Sequence, residues 1–393
     1  MFPPYEKPAH LWVPDLLSAG GIQHFSRALV RAMTELAPEC RLKIFSKNDR
    51  NTGNATGGFD LDLTLPIKGY GHYPATLRTA AYVLGGWIAA FKDRPDWILC
   101  THPHFSKALR LIKSTLGIPY VPVVHGVETW GHVHGALRRG LLDADLIIAV
   151  SEFTRSHLVQ ACGFQPEKVV VVPNTFDESL FSIGPKPVRL LERHHLSPDQ
   201  PVLLTVGRLS STERYKGHDQ VIRAMPAICE KQPHARYVIV GDGDDTPRLR
   251  ALARDANVEK QVIFTGYVQR EDLPDYYRLA DIFVMPSTGE GFGIVFLEAL
   301  ASGRPVIAAN VDASPEALDG GRLGWLVDPG RPDQIAEGAL AILGGKARPE
   351  LNDSAWLRSE VVRLFGFNAF KQHLRQALSS LPAAAATLKS CAA

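Results

Sequence analysis

The sequence predicts an α/β protein built from two doubly wound domains. Its 393 residues exceed the usual size of one domain and suit two domains of roughly 150 to 200 residues each. Short apolar runs rich in β-branched residues alternate with stretches of helical periodicity along both halves of the chain. Continuous apolar strands of this kind are typical of parallel sheets with helices on both faces.

The first half opens with a strand, a glycine turn and a helix, at 10–14, 15–21 and 22–33. Apolar residues recur at helical spacing in the third segment, which makes this opening a βα unit. Further strands of this half are predicted at 41–46, 96–100, 120–126, 145–151 and 168–174. The second half repeats the pattern at 201–207, 235–243, 261–267, 281–287, 305–310 and 324–329. Terminal helices are predicted over 354–380.

The domain boundary is predicted in 182–201, which contains four prolines and no clean periodicity. We assign an N-terminal Rossmann-like domain to residues 1–185 and a C-terminal Rossmann-like domain to 200–360. A terminal helix, 361–380, is expected to pack back on the first domain, and 381–393 to form a flexible tail. Ligands of open α/β sheets bind beyond the carboxyl ends of the strands, so we expect the domains to face each other across a cleft.

Composition and charge exclude several classes of protein. The chain has 45% hydrophobic and 21% charged residues, as soluble globular enzymes do, which excludes global disorder. Lys and Arg number 43 against 41 Asp and Glu, a net charge of +2. This balance offers no broad basic face, so nucleic acid is not an expected partner.

Cysteine usage and the N-terminus both favour the cytoplasm. The five cysteines are odd in number, lie far apart and form no CxxC pair, which argues against a disulfide framework and a structural zinc site. The first residues lack a basic segment followed by a long apolar run, so no secretory signal is predicted. The longest uncharged run near a plausible span, 79–91, has 13 residues, whereas a spanning helix needs about 20. We expect the protein to be free in the cytoplasm or on the inner face of the cell membrane.

The most specific local pattern is 290–298, EGFGIVFLE, which lies between a predicted strand and an apolar helix. Glu290 and Glu298 are eight residues apart, a little over two helical turns. The glycines let backbone amides at the helix start approach a ligand, which suits a phosphorylated or hydroxyl-rich molecule. A capping role for Glu290 and a solvated or hydrogen-bonded Glu298 fit the pattern equally well.

Two cations follow the first strand of the second half. Arg208 comes directly after that strand, and Lys216 lies eight residues later in a turn before a helix. Paired cations at this position could neutralise a diphosphate leaving group, Arg as a planar fork and Lys as a point charge. Ordinary surface residues in a loop are the alternative.

The first half holds weaker candidates. Gly20 and Gly21 lie between a strand and a helix, where amides could face a phosphate or a sugar. His125 ends an apolar strand and could bond to a sugar hydroxyl or act as an acid or base; a structural histidine is the alternative. Glu128 and Trp130 continue that loop, and the indole ring could stack on an acceptor sugar.

Two further patterns are interpreted without a metal. Residues 241–245, GDGDD, follow a strand directly and lack the later ligands of a calcium loop, so we predict a βα turn. His102 and His104 are not accompanied by an evident third ligand for zinc. We expect neither a metal site nor a cofactor.

Considered together, these residues resemble the retaining glycosyltransferases of family 4, often called glycosyl transferase group 1. The resemblance covers nearly the whole chain and is most specific from 201 to about 329. There, Glu290 and Glu298 match the paired glutamates of the family, with seven residues between them. The resemblance implies a GT-B fold, and transfer of a hexosyl group from a nucleotide sugar with retention and without a metal.

The resemblance also implies roles for residues of the second half. Arg208 and Lys216 would bind the donor diphosphate and act in catalysis. Glu290 would hold the donor sugar as a catalytic residue, and Glu298 would contact the ribose. Backbone amides expected to help Glu290 are those of Phe292, Gly293 and Ile294.

In the first half, the resemblance places His125 near the donor sugar and the reacting centre, as a further catalytic residue. Gly21 corresponds to the glycine-rich loop on the acceptor side, and is assigned to donor binding as well. Gly20, Glu128 and Trp130 complete the expected acceptor side.

Three departures from the family pattern concern loops. The loop between Arg208 and Lys216 is longer than in many members. The common Asn-Gly-Val-Asp after the first domain is Asn-Thr-Phe-Asp at 174–177. The frequent Gly-Gly-x-x-Glu is Asp-Ala-Ser-Pro-Glu at 312–316, where Glu316 alone is retained.

A basic and aromatic stretch between Lys68 and Lys113 suggests a further partner. It has seven basic residues against Asp93 and Asp96, and an apolar helix with basic ends is predicted within it. Such a stretch could lie on an anionic membrane or bind a lipid diphosphate. An ordinary domain helix with solvated cations is the alternative.

The expected function is transfer of a hexose, with mannose from GDP-mannose as our first hypothesis, onto a polyprenyl-diphosphate-linked saccharide in exopolysaccharide or cell-surface glycan synthesis. A transferase of the same fold that uses UDP-glucose or UDP-N-acetylglucosamine is an alternative, as is a sugar-nucleotide epimerase. A non-enzyme alternative is a catalytically silent, sugar-nucleotide-binding subunit of a glycan assembly complex.

Overall fold

The structure is a computed structural model that describes residues 8–38, 41–50, 67–131 and 133–381. Cys40, Cys391 and all but the first residue of the predicted tail lie outside these ranges. The contacts divide the chain into two compact units, of which the second runs from Phe176 to Gly366. The first unit comprises the residues up to Thr175 and those from Phe367 onward.

Thirteen strands are found in the described residues: β1 (Ala9–Val13), β2 (Leu42–Ser46), β3 (Ile67–Gly69), β4 (Ile98–Cys100), β5 (Tyr120–Val124), β6 (Ile147–Ala149), β7 (Val169–Val171), β8 (Val202–Val206), β9 (Arg236–Val240), β10 (Val262–Gly266), β11 (Ile282–Met285), β12 (Val306–Ala309) and β13 (Gly324–Val327).

Fourteen α-helices connect them in the same ranges: α1 (Gly21–Leu36), α2 (Ala75–Asp93), α3 (Ser106–Leu116), α4 (Gly135–Leu142), α5 (Glu152–Ser156), α6 (Val188–His194), α7 (His218–Lys231), α8 (Thr246–Asp255), α9 (Leu273–Leu279), α10 (Ile294–Ala301), α11 (Ser314–Ala317), α12 (Pro332–Leu343), α13 (Ser354–Phe365) and α14 (Phe367–Ser379).

The first unit contains a seven-stranded parallel sheet in the order β3-β2-β1-β4-β5-β6-β7. The central strands are buried along their whole length because helices cover both faces. In α1, for example, Phe25, Ala28, Leu29 and Ala32 are buried at the spacing of one helical face. This sheet confirms the predicted fold class for the first half, and β3 is a strand that the sequence pattern did not predict.

The second unit contains a six-stranded parallel sheet in the order β10-β9-β8-β11-β12-β13. Each sheet therefore starts with a strand that lies inside it and builds outward first on one side and then on the other, which is the Rossmann order. The reversal falls between β1 and β4 in the first sheet and between β8 and β11 in the second. Two Rossmann-like units are thus confirmed, and each has a switch point at which ligands bind in this architecture.

The segment that follows Thr175 packs on the second unit. The ring of Phe181 is fully buried and meets Tyr277 edge-on, with 5.4 Å between centroids. Lys186 Nζ lies 2.7 Å from Asp281 Oδ2. Residues 176–185, which the sequence assigned to the N-terminal domain, are therefore held by contacts with the second unit, ahead of the proline-rich segment.

The last described helix, α14, lies against α1 in the first unit. The rings of Phe25 and Phe370 meet edge-on with centroids 5.5 Å apart. Lys371 Nζ pairs with Glu35 Oε2 at 2.6 Å, and the Arg31 guanidinium lies 4.1 Å from the centre of the Phe367 ring. The terminal helix begins at Phe367, six residues later than the sequence placed it.

Within the described ranges, no helix has both the length and the apolar character needed to cross a membrane.

Candidate functional site

The loops that leave β8 and β11 meet at the switch point of the second sheet. A 3₁₀ helix, Ser211–Lys216, follows β8, and its last turn packs on the loop after β11. The Thr288 N–H donates to the Tyr215 carbonyl at 2.8 Å. These two loops carry the cations and the first glutamate of the predicted site.

Lys216 and Glu290 form an ion pair across the two loops. The Lys216 Nζ lies 3.2 Å from Glu290 Oε1, and each side chain is only 15% exposed. Burial lowers the pKa of Lys216, but the charges of Glu290, Tyr215 and Glu213 and the hydrogen bond to Glu290 together outweigh it and hold the pKa above its ordinary value. The ammonium group is thus charged at neutral pH although its side chain is mostly buried.

Arg208 is the more exposed of the two cations. Its guanidinium pairs with Glu213 at short range, while 79% of its side chain remains exposed. Burial raises the pKa of the Tyr215 hydroxyl, and the charges of Arg208, Glu213, Lys216 and Glu290 also act on it. The structure therefore brings the predicted cations and Glu290 around one tyrosine, together with Glu213, which the sequence analysis missed.

Glu290 lies in the loop before α10, not in the helix. The helix begins at Ile294 with Gly293 at its N-cap position, and no side chain caps it. The predicted spacing of two helical turns between Glu290 and Glu298 was therefore wrong, and so was the capping alternative. Gly293 has φ +92°, and an added Cβ would lie 2.3 Å from the Phe296 ring, so the sharp turn requires glycine.

The residues around this turn are largely buried. The ring of Phe292 is buried and meets Phe365 edge-on at 5.4 Å between centroids. The amides of Phe292, Gly293 and Ile294 stand where intrahelical acceptors are lacking, because the first N–H groups of a helix have no partner within it. A helix start of this kind favours an anionic or oxygen-rich ligand.

Glu298 is buried inside the second unit. Its Oε2 accepts a hydrogen bond of 2.6 Å from the Tyr277 hydroxyl, and 6% of the residue is exposed. Burial raises the pKa of this carboxyl group, although Tyr277 and the charge of Arg270 oppose the shift. Glu298 is therefore a hydrogen-bonded residue of the helix, and the alternative of a solvated residue was wrong.

In the first unit, Gly20 and Gly21 stand at the start of α1, beyond the carboxyl end of β1. Gly20 is the N-cap residue with φ +153°, and its carbonyl accepts the His24 N–H at 2.9 Å. An added Cβ at Gly20 would lie 2.2 Å from Gln23 Oε1. The turn is therefore closed by backbone and by a neighbouring side chain.

His125 follows β5 and is oriented by backbone. Its Nε2 lies 2.9 Å from the Thr101 carbonyl, which can only accept, so this nitrogen carries the proton. Burial lowers the pKa of His125, although Glu128 and the Thr101 carbonyl oppose the shift. The ring also meets Phe25 edge-on at 5.3 Å. A neutral imidazole held in this way keeps Nδ1 as a hydrogen-bond acceptor.

Glu128 and Trp130 carry polar atoms without partners. Glu128 Oε1 accepts the His125 N–H at 3.4 Å. Among the described residues, no hydrogen-bond partner is found for the buried atoms Glu128 Oε2 and Trp130 Nε1. Buried polar atoms are seldom left unpaired, so these two are candidates for contact with a ligand. The indole meets Phe153 edge-on at 6.1 Å.

Of the two patterns interpreted without a metal, GDGDD forms the βα turn that was predicted. The GDGDD segment connects β9 with α8, and Asp244 accepts the Ser211 N–H at 2.8 Å. The His102 and His104 rings lie 4.9 Å apart, and burial lowers the pKa of His102 to about 4. In the parts of the chain that the structure describes, no group of three or more His, Cys, Asp or Glu side chains is arranged to hold a metal ion.

Asp312 is a further residue of the site that the sequence analysis did not assign. It follows β12, and its carboxylate contacts the backbone of Glu290. The available signal was the departure at 312–316 from the glycine-containing pattern.

Two family models match most of the chain. The model described as Glycosyl transferases group 1 matches residues 189–354, and the model described as Glycosyltransferase Family 4 matches residues 19–180. The first spans the loops of Lys216 and Glu290, and the second spans those of Gly21 and His125.

Named relatives are glycosyltransferases. A GDP-mannose-dependent alpha-(1-6)-phosphatidylinositol monomannoside mannosyltransferase of Mycobacterium tuberculosis is 32% identical over 268 residues, or 65% of this chain and 66% of that protein. The matched region thus spans just under two thirds of that relative. D-inositol 3-phosphate glycosyltransferase 2 of Catenulispora acidiphila is 29% identical over 91% of this chain and 89% of its own length.

Among solved structures, HepE of Anabaena in complex with UDP and glucose is similar with a TM-score of 0.75. It is 22% identical and covers 95% of this chain and 100% of its own. This likeness confirms the fold.

The substitution Glu298→Gln tests the buried carboxyl group. Because burial raises its pKa above the ordinary value of 4.5, the folded state binds the proton more tightly than the unfolded chain. Stability is therefore lost as the pH rises from about 4.5 through the raised folded value. In urea denaturation, we expect the stability of the variant relative to wild type to increase as the pH rises from about 5 to about 8.

Glu360→Gln is the control, because hydrogen bonds from Arg363 and Arg322 lower the Glu360 pKa to about 2. Its carboxylate stays ionised over most of this interval, so the difference from wild type should be nearly constant. A constant difference for Glu298→Gln would contradict the assignment of a raised pKa.

Proposed function

Because the chain belongs to the group 1, family 4 glycosyltransferases, we propose that it is a retaining, metal-independent hexosyltransferase. The proposed reaction moves mannose from GDP-mannose to a hydroxyl group of a polyprenyl-diphosphate-linked saccharide in exopolysaccharide or cell-surface glycan synthesis. The observation that carries the proposal is the Lys216–Glu290 pair beside the uncapped start of α10 at a switch point. A cation, a carboxylate and the amides of an uncapped helix start together suit the diphosphate and the sugar of one donor.

The second unit supplies the groups that stabilise the leaving diphosphate. The transition state resembles an oxocarbenium ion, and negative charge develops on the departing phosphate oxygen. Lys216 stays protonated and neutralises this charge, and the exposed guanidinium of Arg208 adds a second cation once it leaves Glu213. Glu290 accepts hydrogen bonds from the donor sugar, and the buried Glu298 contacts the ribose.

The first unit contributes His125 and the acceptor side. A neutral His125 does not act as a strong base; its Nδ1 accepts a hydrogen bond from a sugar hydroxyl near the reacting carbon. The unpartnered Glu128 and Trp130 atoms are the groups we assign to the acceptor saccharide, with the turn at Gly20 and Gly21 beside α1. Lys216 and Arg208 supply the positive charge that the departing diphosphate needs, so the proposed reaction requires no metal.

The GDP-mannose donor is supported by the name of the mycobacterial relative. A UDP-sugar donor is the second candidate, since HepE was solved with UDP and glucose. An epimerase of the same fold needs no acceptor, and a silent subunit binds a nucleotide sugar without turnover.

Labelled donors separate these candidates. We expect purified protein, incubated with GDP-mannose and a bacterial membrane lipid extract, to transfer label to the lipid fraction faster than with UDP-glucose or UDP-N-acetylglucosamine. Products are resolved by thin-layer chromatography. Faster transfer from a UDP-sugar would show that this sugar nucleotide, and not GDP-mannose, is the donor. Conversion of the sugar nucleotide without an acceptor would indicate an epimerase. Tight binding without turnover would indicate a silent subunit.

Lys216→Ala and Glu290→Ala test the site. Each removes one member of the half-buried pair, so we expect a loss of transfer of about a hundredfold or more at an unchanged fold, checked by circular dichroism. Lys231→Ala is the control, since Lys231 is exposed and pairs with its neighbour Glu230. Near-normal transfer by either site variant would refute the assignment.

We further propose that α2 brings the protein to an anionic membrane. Large apolar side chains form an exposed stripe along this helix: Leu77, Leu84, Ile88 and Phe91. Arg78 precedes the stripe's centre, and Lys92 and Arg94 follow it. The nearby Asp93 is bound by Lys43 Nζ at 2.8 Å and by His10, so its charge is compensated. An apolar stripe with basic ends is typical of helices that lie in a lipid interface.

Vesicle sedimentation tests this surface. We expect the protein to sediment with phosphatidylglycerol-containing vesicles, and the double variant Leu84→Asp/Phe91→Asp to lose most of this binding. Val188→Asp, which adds a charge at an exposed apolar residue of the second unit, is the control. Equal sedimentation of all three proteins, or none by wild type, would contradict the proposal.

A further inference from the structure

The loop after β12 holds the peptide unit of Glu290 from both sides. Asp312 Oδ2 accepts the Glu290 N–H at 2.7 Å, and Asp312 Oδ1 accepts the Ser314 N–H at 2.7 Å. The Ala313 N–H in turn donates to the Glu290 carbonyl at 3.3 Å. Asp312 and Ala313 thus fix the backbone from which the Glu290 side chain reaches Lys216.

The backbone of Asp312 is itself unusual. Its φ is +56°, in the left-handed region that residues other than glycine seldom adopt. Aspartate is among the few side chains that tolerate this conformation, and here it adds an acceptor that glycine lacks. Strained backbone of this kind persists where the surroundings require it, and it often lies at functional sites.

We propose that Asp312 is a positioning residue for the transfer reaction, whose carboxylate keeps Glu290 beside Lys216 by binding the backbone of Glu290. The proposal rests on the proposed function, because it assigns Asp312 a role in holding the donor sugar through Glu290. Both contacts of Asp312 are charge-assisted hydrogen bonds to backbone amides, which are stronger than neutral ones.

The hydrogen bonds from the Glu290 and Ser314 amides to the Asp312 carboxylate, here called the clamp, depend on whether Asp312 is ionised. Burial raises the pKa of Asp312 to about 7; the Glu290 and Ser314 amides lower it, and the negative charge of Glu290 adds to the rise. Glu290 is itself paired with Lys216, and α11, which follows Asp312, carries Glu316. When protonated, Asp312 keeps one good acceptor for two amides, so the clamp weakens as the pH falls through about 7.

The direction of the shift argues against a purely stabilising role. The folded pKa lies above the ordinary value of 3.8, so ionisation favours the unfolded chain. The carboxylate therefore costs stability progressively as the pH rises from about 4 to about 7, and the full cost remains above that range. The ionised Asp312 lowers the stability of the fold, yet it is this form that binds the backbone of Glu290. Its role is therefore to position Glu290 and not to stabilise the protein.

Asp312→Asn tests the proposal, because asparagine has the shape and the single acceptor of the protonated residue. We expect wild-type kcat to fall about tenfold as the pH drops below about 7. The variant should show the low kcat at every pH, without this dependence on pH. Binding of the nucleoside diphosphate alone should stay within about twofold, since that molecule lacks the sugar. Asp312→Gly, which retains the left-handed backbone, should resemble Asp312→Asn in kcat if the fold is intact.

Asp319→Asn is the matched control, because Asp319 also has a positive φ, of +49°, and pairs with Arg322 outside the site. It should leave the pH profile unchanged. If kcat of Asp312→Asn depended on pH as kcat of wild type does, the proposed role of Asp312 would be wrong.

A second measurement does not depend on turnover. With ¹⁵N-glutamate labelling, the Glu290 amide resonance should shift with a midpoint near pH 7 in wild type and not in Asp312→Asn. Absence of the shift in wild type would overturn the clamp even in an inactive protein. Absence of any transfer while the shift is present would overturn the proposed function alone.

Discussion

One ion pair, Lys216 with Glu290, determines how the second unit can meet a ligand. At the switch point of a parallel sheet, successive loops diverge to opposite faces and leave a crevice between them. Here the pair joins those loops at 3.2 Å in a half-buried position. Pairs of this kind add little net stability, because the charges lose hydration that their attraction only partly restores. Its main consequence is therefore placement: a cation and a carboxylate stay side by side in a mostly buried position.

The neighbouring elements all serve this placement. Gly293 allows the chain to turn sharply after Glu290, so that α10 begins with open amides. The Phe292 ring is buried against Phe365, so the turn is packed firmly within the second unit. Further along the same helix, Glu298 is held by the hydroxyl of Tyr277, so its carboxyl group keeps a fixed orientation. The turn and Glu298 are thus held by fixed contacts, whereas 79% of the Arg208 side chain is exposed.

The parallel sheets were predictable because strands buried on both faces, such as β5 and β8, are continuous apolar runs. The short edge strand β3 was not, because its middle residue, Lys68, is exposed and the run has three residues. Local sequence could place Glu290, Lys216 and Arg208 at strand ends. It could not reveal the contacts made by Glu213 or Asp312, since these depend on how separate loops pack. That Glu290 lies in a turn outside α10 was not predictable from the spacing of the two glutamates, because a separation of eight residues does not fix the backbone between them.

The second unit is inserted into the first, since the chain leaves the first unit after Thr175 and returns to it at Phe367. During synthesis, every strand and helix of the second unit emerges before α14, the helix that covers Phe25 of α1. The second unit can therefore fold as soon as it has left the ribosome. In the first unit, the face of α1 that contains Phe25 stays uncovered until α14 is made. The unit that bears His125 is therefore completed only after the whole of the second unit has been synthesised.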